Sequence, residues 1–166
     1  MGKLNRIIGI DPDVEKSGVA ILTLEPRSLK LKSMSFSEIV DFAYDSVADK
    51  DDMRFVVEGG WINQSHFHLS GATRAYMAAR MGNDVGRNHE TGRKIIEVLE
   101  HLGYDVVAQK PLKKIWGGKD GKITKKELES FAGPVGICNQ DSRDAALLAW
   151  NNAGLPIRIN KAVKTC

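Results

Sequence analysis

The sequence predicts an α/β domain: a five-stranded mixed sheet with helices on both faces, its elements in the order βββαβαβα. Two hydrophobic runs that each end in an acid, RIIGID (6–11) and RFVVE (54–58), read as buried strands. Around them lie segments with the apolar spacing of helices packed on a sheet. No internal repeat or low-complexity linker divides the chain, so its 166 residues read as one domain over 1–166, large enough for a real core.

Residues 6–11 form the first strand, rich in Ile and closed by Asp11-Pro12. After the turn DPDVEKSG, VAILTLE from Val19 to Glu25 is the second. LKLKSMSF from Leu29 to Phe36 alternates apolar and polar, as a half-exposed third strand does. Short turns make these three an antiparallel meander. Ser37 is placed to cap a helix carrying Ile39, Val40, Phe42, Ala43 and Val47 towards the core. Phe55 to Glu58 is a short fourth strand. Asn63 to Ser70 reads as loop and ATRAYMAARM (72–81) as helical, while Asn88 starts a firmer helix through Ile95, Ile96, Val98 and Leu99, stopped at Gly103. Tyr104 to Ala108 is the fifth strand. A basic loop follows, and Thr124-x-x-Glu127 is a capping-box signature that starts a short helix ended by Gly133-Pro134. The last helix runs from about Asp141 to Asn152, with Gly154 and Pro156 as stop signals.

Composition excludes several classes. Apolar and charged fractions of 42% and 27% are those of a globular protein and argue against wholesale disorder. The net charge of +3 is too small to demand a polyanion partner, but its distribution is uneven. Seven lysines lie between Lys110 and Lys126 with Asp120 the only acid among them, whereas Asp41 to Asp52 is acidic. Cys138 and Cys166 form neither a disulfide framework nor a zinc spacing. There is no apolar leader and no run approaching a membrane span, and Arg6 stands where a Met-Gly myristoylation start needs Ser or Thr. A cytoplasmic protein without membrane partners is the expectation.

The acids carry the chemistry. Taken singly, Asp11 is a turn residue before Pro12, Glu58 a solvated strand end, and Asp141 and Asp144 helix-start acids favoured by the helix dipole. Together they form a pattern. If the strands ending in Asp11 and Glu58 are parallel neighbours, the two carboxylates converge on one edge of the open sheet, and two acids three apart share one side of a helix. Four carboxylates so close resist ionising unless cations hold them, and hard oxygen ligands select Mg²⁺, with Mn²⁺ as substitute. Two such ions about 4 Å apart can hold a scissile phosphate between them, which removes the need for a histidine base. Other motifs fail. Asp11-x-Asp13-x-Glu15 lacks the glycine and twelfth-position Glu of a calcium loop. GGKDGK has Ile123 where a phosphate loop needs Ser or Thr. His66, His68, His89 and His101 read as surface residues, and no Ser-His-Asp arrangement can be argued.

With these elements in place, the chain resembles the RuvC-type Holliday-junction resolvases of the RNase H-like superfamily. IIGIDPDVEKSGVAIL is similar to that family's first strand-turn-strand, IxGIDPGxxxxGxxxx, with the first catalytic acid at Asp11 and Asp13 replacing the usual glycine. VVEGGW resembles the second block, Glu58 followed three residues later by Trp61. NQDSRDAALLAW resembles the DxxDALA helix, placing the last two acids at Asp141 and Asp144. KITKKEL resembles the block whose lysine lies near the scissile phosphate, at Lys125, and PLKKIWGG the segment with a DNA-contacting lysine, at Lys113.

The resemblance implies a metal-dependent endonuclease cutting four-way DNA junctions as a homodimer, with two Mg²⁺ ions per site held by Asp11, Glu58, Asp141 and Asp144. It further implies that Trp61 stacks on an unpaired base, and that Lys113, Lys114, Lys122 and Lys125 contact phosphates. The alternatives are a nuclease of the same fold for flaps, forks or RNA–DNA hybrids, or a non-catalytic nucleic-acid-binding module. Actin-like ATPases share the fold core but need two such domains.

Overall fold

The computed structural model describes residues 2–62 and 75–157, apart from the side chains of 75–78 and 81. Three strands come first, β1 (Arg6–Asp11), β2 (Ser17–Thr23) and β3 (Ser28–Met34). Helix α1 (Phe36–Asp45) and a 3₁₀ turn (Val47–Asp52) lead to β4 (Met53–Glu58). Helix α2 (Ala75–His101) precedes β5 (Asp105–Gln109), and α3 (Lys125–Ala132) and α4 (Gln140–Asn152) complete the fold.

The sheet order is β3-β2-β1-β4-β5. The first three strands are the expected antiparallel meander. Strand β4 lies parallel to both β1 and β5, so the sheet is mixed. Successive residues of β1 face opposite sides, and each side finds helices. Ile8 and Ile10, with Phe55 and Val57 of β4, pack under Ile39 and Ala43 of α1 and Ile95 and Leu99 of α2. Ile7, Leu22 and Val56 meet Leu148, Ala149 and Trp150 of α4, and Ala20 meets Leu128 of α3 with Ala145 and Ala146. Fully burying one such large side chain contributes about 1.5–3 kcal/mol.

Several boundaries differ from the sequence reading. Helix α1 is capped by Ser35, whose hydroxyl accepts from the Glu38 amide while the Glu38 carboxylate accepts from the Ser35 amide. Ser37 has Val40 at the corresponding third position, which cannot return that bond. Helix α2 is one element of 27 residues, so Asn88 lies inside it and does not start it. Glycines 82 and 86 within it face open space. The loop expected over Asn63 to Ser70, with His66 and His68, lies outside the described residues, as do 72–74 and Cys166. Tyr104 precedes β5 rather than opening it, and its hydroxyl donates to the Ala43 carbonyl of α1. The cap of α4 is Asn139, which accepts from the Ser142 amide.

Candidate nuclease site

Strands β1 and β4 run side by side in the same direction, with Ile10 opposite Val57. Asp11 and Glu58 therefore leave the sheet next to each other at its carboxyl edge. The other two acids arrive from above, because two glycines let α4 rest directly on the strands. A Cβ on Gly9 would stand 2.0 Å from the Ala145 carbonyl oxygen, and one on Gly18 would stand 2.1 Å from the Asp141 carbonyl carbon. That contact sets the first turn of α4 over the strand ends, where Asp141 and Asp144 share a side of the helix.

All four acids line one cleft of about 220 Å³, together with Lys113, Lys114 and Lys122. Burial and neighbouring charge act on them jointly. Asp11 is pushed up to about 8, first by burial and then by the charges of Glu58, Asp141 and Asp144, with Lys122 pulling the other way. Glu58 is raised by burial and then by Asp144, against Lys114 and Lys122. Burial also raises Asp141, opposed by Lys122 and reinforced by Asp13 and Asp144. Asp144 accepts a hydrogen bond from Gln140 Nε2 at 2.8 Å and stands 3.8 Å from Lys122 Nζ.

This donor set fits a hard cation: oxygen ligands only, destabilised in their ionised form by burial and by one another, as a divalent ion would relieve. The side chains are nonetheless not closed around an ion position. Among the described residues no three His, Cys, Asp or Glu side chains are gathered tightly enough to hold a metal. The two observations agree once range is considered, since charge coupling reaches well beyond the roughly 2.0–2.6 Å of coordination. In this arrangement the ammonium of Lys122 stands beside Asp144 and acts on Asp11, Glu58 and Asp141, with Lys114 also acting on Glu58.

The lysines hang on a loop whose course is fixed from α3. Glu127 is buried and accepts from the amides of Gly117 (2.8 Å) and Thr124 (2.9 Å). Trp116 N–H donates to the Gly121 carbonyl, Gly118 N–H to that of Lys122, and the Trp116 ring packs near Phe131. Lys125 sits apart from the cleft lining, at the first position of α3, and pairs with Glu129 one turn on at 3.7 Å.

Trp61, on the 3₁₀ turn Gly60–Ile62, packs edge-on to His89 of α2 at 5.9 Å, with the Arg93 guanidinium 5.3 Å from its ring centre. It lines a smaller recess of about 160 Å³ that shares Asp11, Pro12, Glu58 and Asn88 with the main cleft.

Three further residues bear on the site without having been singled out in the sequence as part of it. Asn88 lines both cavities, and its Oδ1 accepts from the Val14 amide, tying α2 to the turn after Asp11. His89 faces the recess, its pKa lowered by burial and then by Arg93. Gln140 holds Asp144, and its place one helical turn before that acid was the available signal.

The sheet order, the antiparallel β2 and the helices on both faces make this an RNase H-like α/β fold. Comparison with solved structures places it closer still. The chain is similar to Thermus thermophilus RuvC in complex with a Holliday junction substrate, at 15% identity and a TM-score of 0.50, over 89% of this chain and 92% of that one. A second Thermus thermophilus RuvC structure matches at 13% identity and a TM-score of 0.48, over 90% and 96% of the two chains. The first of these likenesses makes the fold RuvC-like. No protein-family model and no curated protein sequence matches the chain.

Proposed function

We propose that this protein is a divalent-metal-dependent endonuclease that cuts branched DNA, with the four-way junction as its principal substrate. The observation that carries the reading is the meeting of Asp11, Glu58, Asp141 and Asp144, from two strands and a helix, in one lysine-rimmed cleft. The fold shared with a RuvC that binds a Holliday junction supports the choice of substrate. The four carboxylates are the residues that would hold Mg²⁺ or Mn²⁺. A pair of ions there would activate a water for attack on phosphorus and stabilise the departing 3′ oxygen.

The chain's own groups do the rest. Lys122 lies among the acids and is the lysine we assign to the scissile phosphate, with Lys113 and Lys114 beside it on the same loop. Lys125, outside the cleft, is left to flanking phosphates. Trp61 offers a splayed base a ring already braced by Arg93, and stacking of this kind contributes about 1–3 kcal/mol per base. Symmetric incision of a junction calls for two copies about a twofold axis, so the working unit is a homodimer. No described helix is long and apolar enough to cross a membrane; the cytoplasm is the compartment that action on DNA implies under this reading.

The test is cleavage of junction, fork, flap, duplex and RNA–DNA hybrid substrates with and without Mg²⁺, by wild type and Asp11→Asn. Paired nicks confined to the junction, abolished in Asp11→Asn while binding persists, are expected. Equal cutting by the variant would defeat the site assignment, and cutting of another substrate alone would redirect it.

One observation favours a second reading, a junction-binding module without turnover: the acids stand open and Lys122 occupies their midst. Tight junction binding with no cutting in any divalent metal would select it.

A further inference from the structure

Asp144 is held from behind by a side chain that does not itself line the cleft. The Gln140 amide nitrogen donates to Asp144 Oδ1 at 2.8 Å and to the Ile123 carbonyl at 3.1 Å. Its amide oxygen accepts from Arg143 Nη2 at 2.8 Å. Arginine carries donors only, so the amide oxygen must face Arg143 and the NH₂ must face the two acceptors. The orientation of Gln140 is thus dictated by its partners. Arg143 is anchored in turn, with Nε on the same Ile123 carbonyl at 3.1 Å and Nη1 on the Cys138 carbonyl at 3.3 Å.

Two consequences follow for the cleft. With Oδ1 engaged by Gln140, Asp144 turns its other oxygen, Oδ2, to Lys122. The Ile123 carbonyl, fixed to α4 by both Gln140 and Arg143, also sets the chain position of Lys122, the residue before it. One amide therefore registers a carboxylate on α4 against a lysine on the basic loop. Helix initiation does not call for it, because Asn139 already caps α4.

We propose that Gln140, locked by Arg143, is a positioning residue that orients Asp144 for cation binding and sets its separation from Lys122. The inference rests on the proposed metal site and assigns a role to a residue outside the cleft lining. Hydrogen-bond partners of metal ligands act in this way, and their loss typically weakens metal affinity or activity by about 10–100-fold.

The experiment is Mn²⁺ binding to the full chain, followed by electron paramagnetic resonance, for wild type, Gln140→Ala and the near-isosteric Gln140→Glu. The carboxylate introduced by the second substitution would be an acceptor facing Asp144 and could not donate to it. Both variants are expected to keep the wild-type circular dichroism and to bind Mn²⁺ about 10–100-fold more weakly. Cutting should likewise need more Mg²⁺ for half-maximal rate and recover at saturating metal, a split that a general loss of structure would not produce. Folded variants that bind Mn²⁺ as tightly as wild type would overturn the positioning role alone. Unfolding of both variants would overturn it too, by showing that the residue serves the fold. Failure of the wild type to bind Mn²⁺ would overturn the metal site and this inference with it.

Discussion

Alanine in place of Gly18 is expected to push the acid-bearing helix off the sheet. A Cβ there would stand 2.1 Å from the carbonyl carbon of Asp141, 2.2 Å from its oxygen and 2.5 Å from the Ser142 nitrogen. Ordinary contact begins near 3.4 Å, so the first turn of α4 must retreat by about 1.3 Å from its 2.1 Å approach. All three obstacles are backbone, and no change of rotamer relieves them. Overpacking of this kind costs about 1–3 kcal/mol. The same retreat carries Asp141 away from Asp11, and a displacement of about 1 Å at a reacting centre costs on the order of 10²-fold in rate. Urea unfolding followed by circular dichroism reads the first effect, and single-turnover junction cleavage reads the second. Gly86→Ala is the control: its Cβ meets nothing within 4 Å, and alanine inside a helix gains about 0.5–1 kcal/mol over glycine. A Gly18→Ala protein with wild-type midpoint and wild-type cleavage would refute the claim that α4 seats its acids by resting on β2.

Two further outcomes concern charge. Asp11 has a folded-state pKa of about 8, above its ordinary 3.8, so the folded protein binds the extra proton. Its contribution to stability is full below the ordinary carboxyl range and is lost as pH rises through about 8. Glu58 and Asp141 shift in the same direction. Thermal unfolding of the metal-free protein should therefore show a falling midpoint towards alkaline pH, and saturating Mg²⁺ should remove the fall. A midpoint that is flat between about pH 5 and 9 without metal would contradict this. Among the lysines, Lys122→Ala should slow cutting more than Lys125→Ala, because Lys122, unlike Lys125, lines the cleft beside the acids. Each lost phosphate contact should also reduce the salt dependence of binding by a slope of about 1. Equal rates for the two variants would place the phosphate elsewhere.

What the sequence made legible follows from what is local. RIIGID and RFVVE read as strands because unbroken apolar runs stop at an acid, and the meander follows from short turns. The two acids of α4 share a face by helical spacing alone. The parallel pairing that puts Asp11 beside Glu58 is a tertiary fact, and it entered only as a condition. The site's supporting residues were harder to see. Asn88 reaches the cleft from the middle of α2, whose polar run MGNDVGRNHETGR weakens the helical periodicity enough to suggest a fresh start. The capping box at Thr124 fixed the start of α3, yet it places Lys125 towards Glu129 one turn on. Lys122 is brought to the acids by a loop that the same Glu127 ties down, a contact across ten residues to Gly117 that no short motif encodes. Ser35 rather than Ser37 caps α1 for a reason that is present in the sequence: only Ser35 has a Glu three residues on.

The most direct measurement is anomalous diffraction from crystals of this protein grown with Mn²⁺. Manganese peaks are expected in the cleft, with carboxylate oxygens of Asp11, Glu58, Asp141 and Asp144 drawn in to about 2.0–2.6 Å and Lys122 displaced from Asp144. Density for manganese elsewhere on the molecule, with the four carboxylates still apart at full metal occupancy, would contradict it.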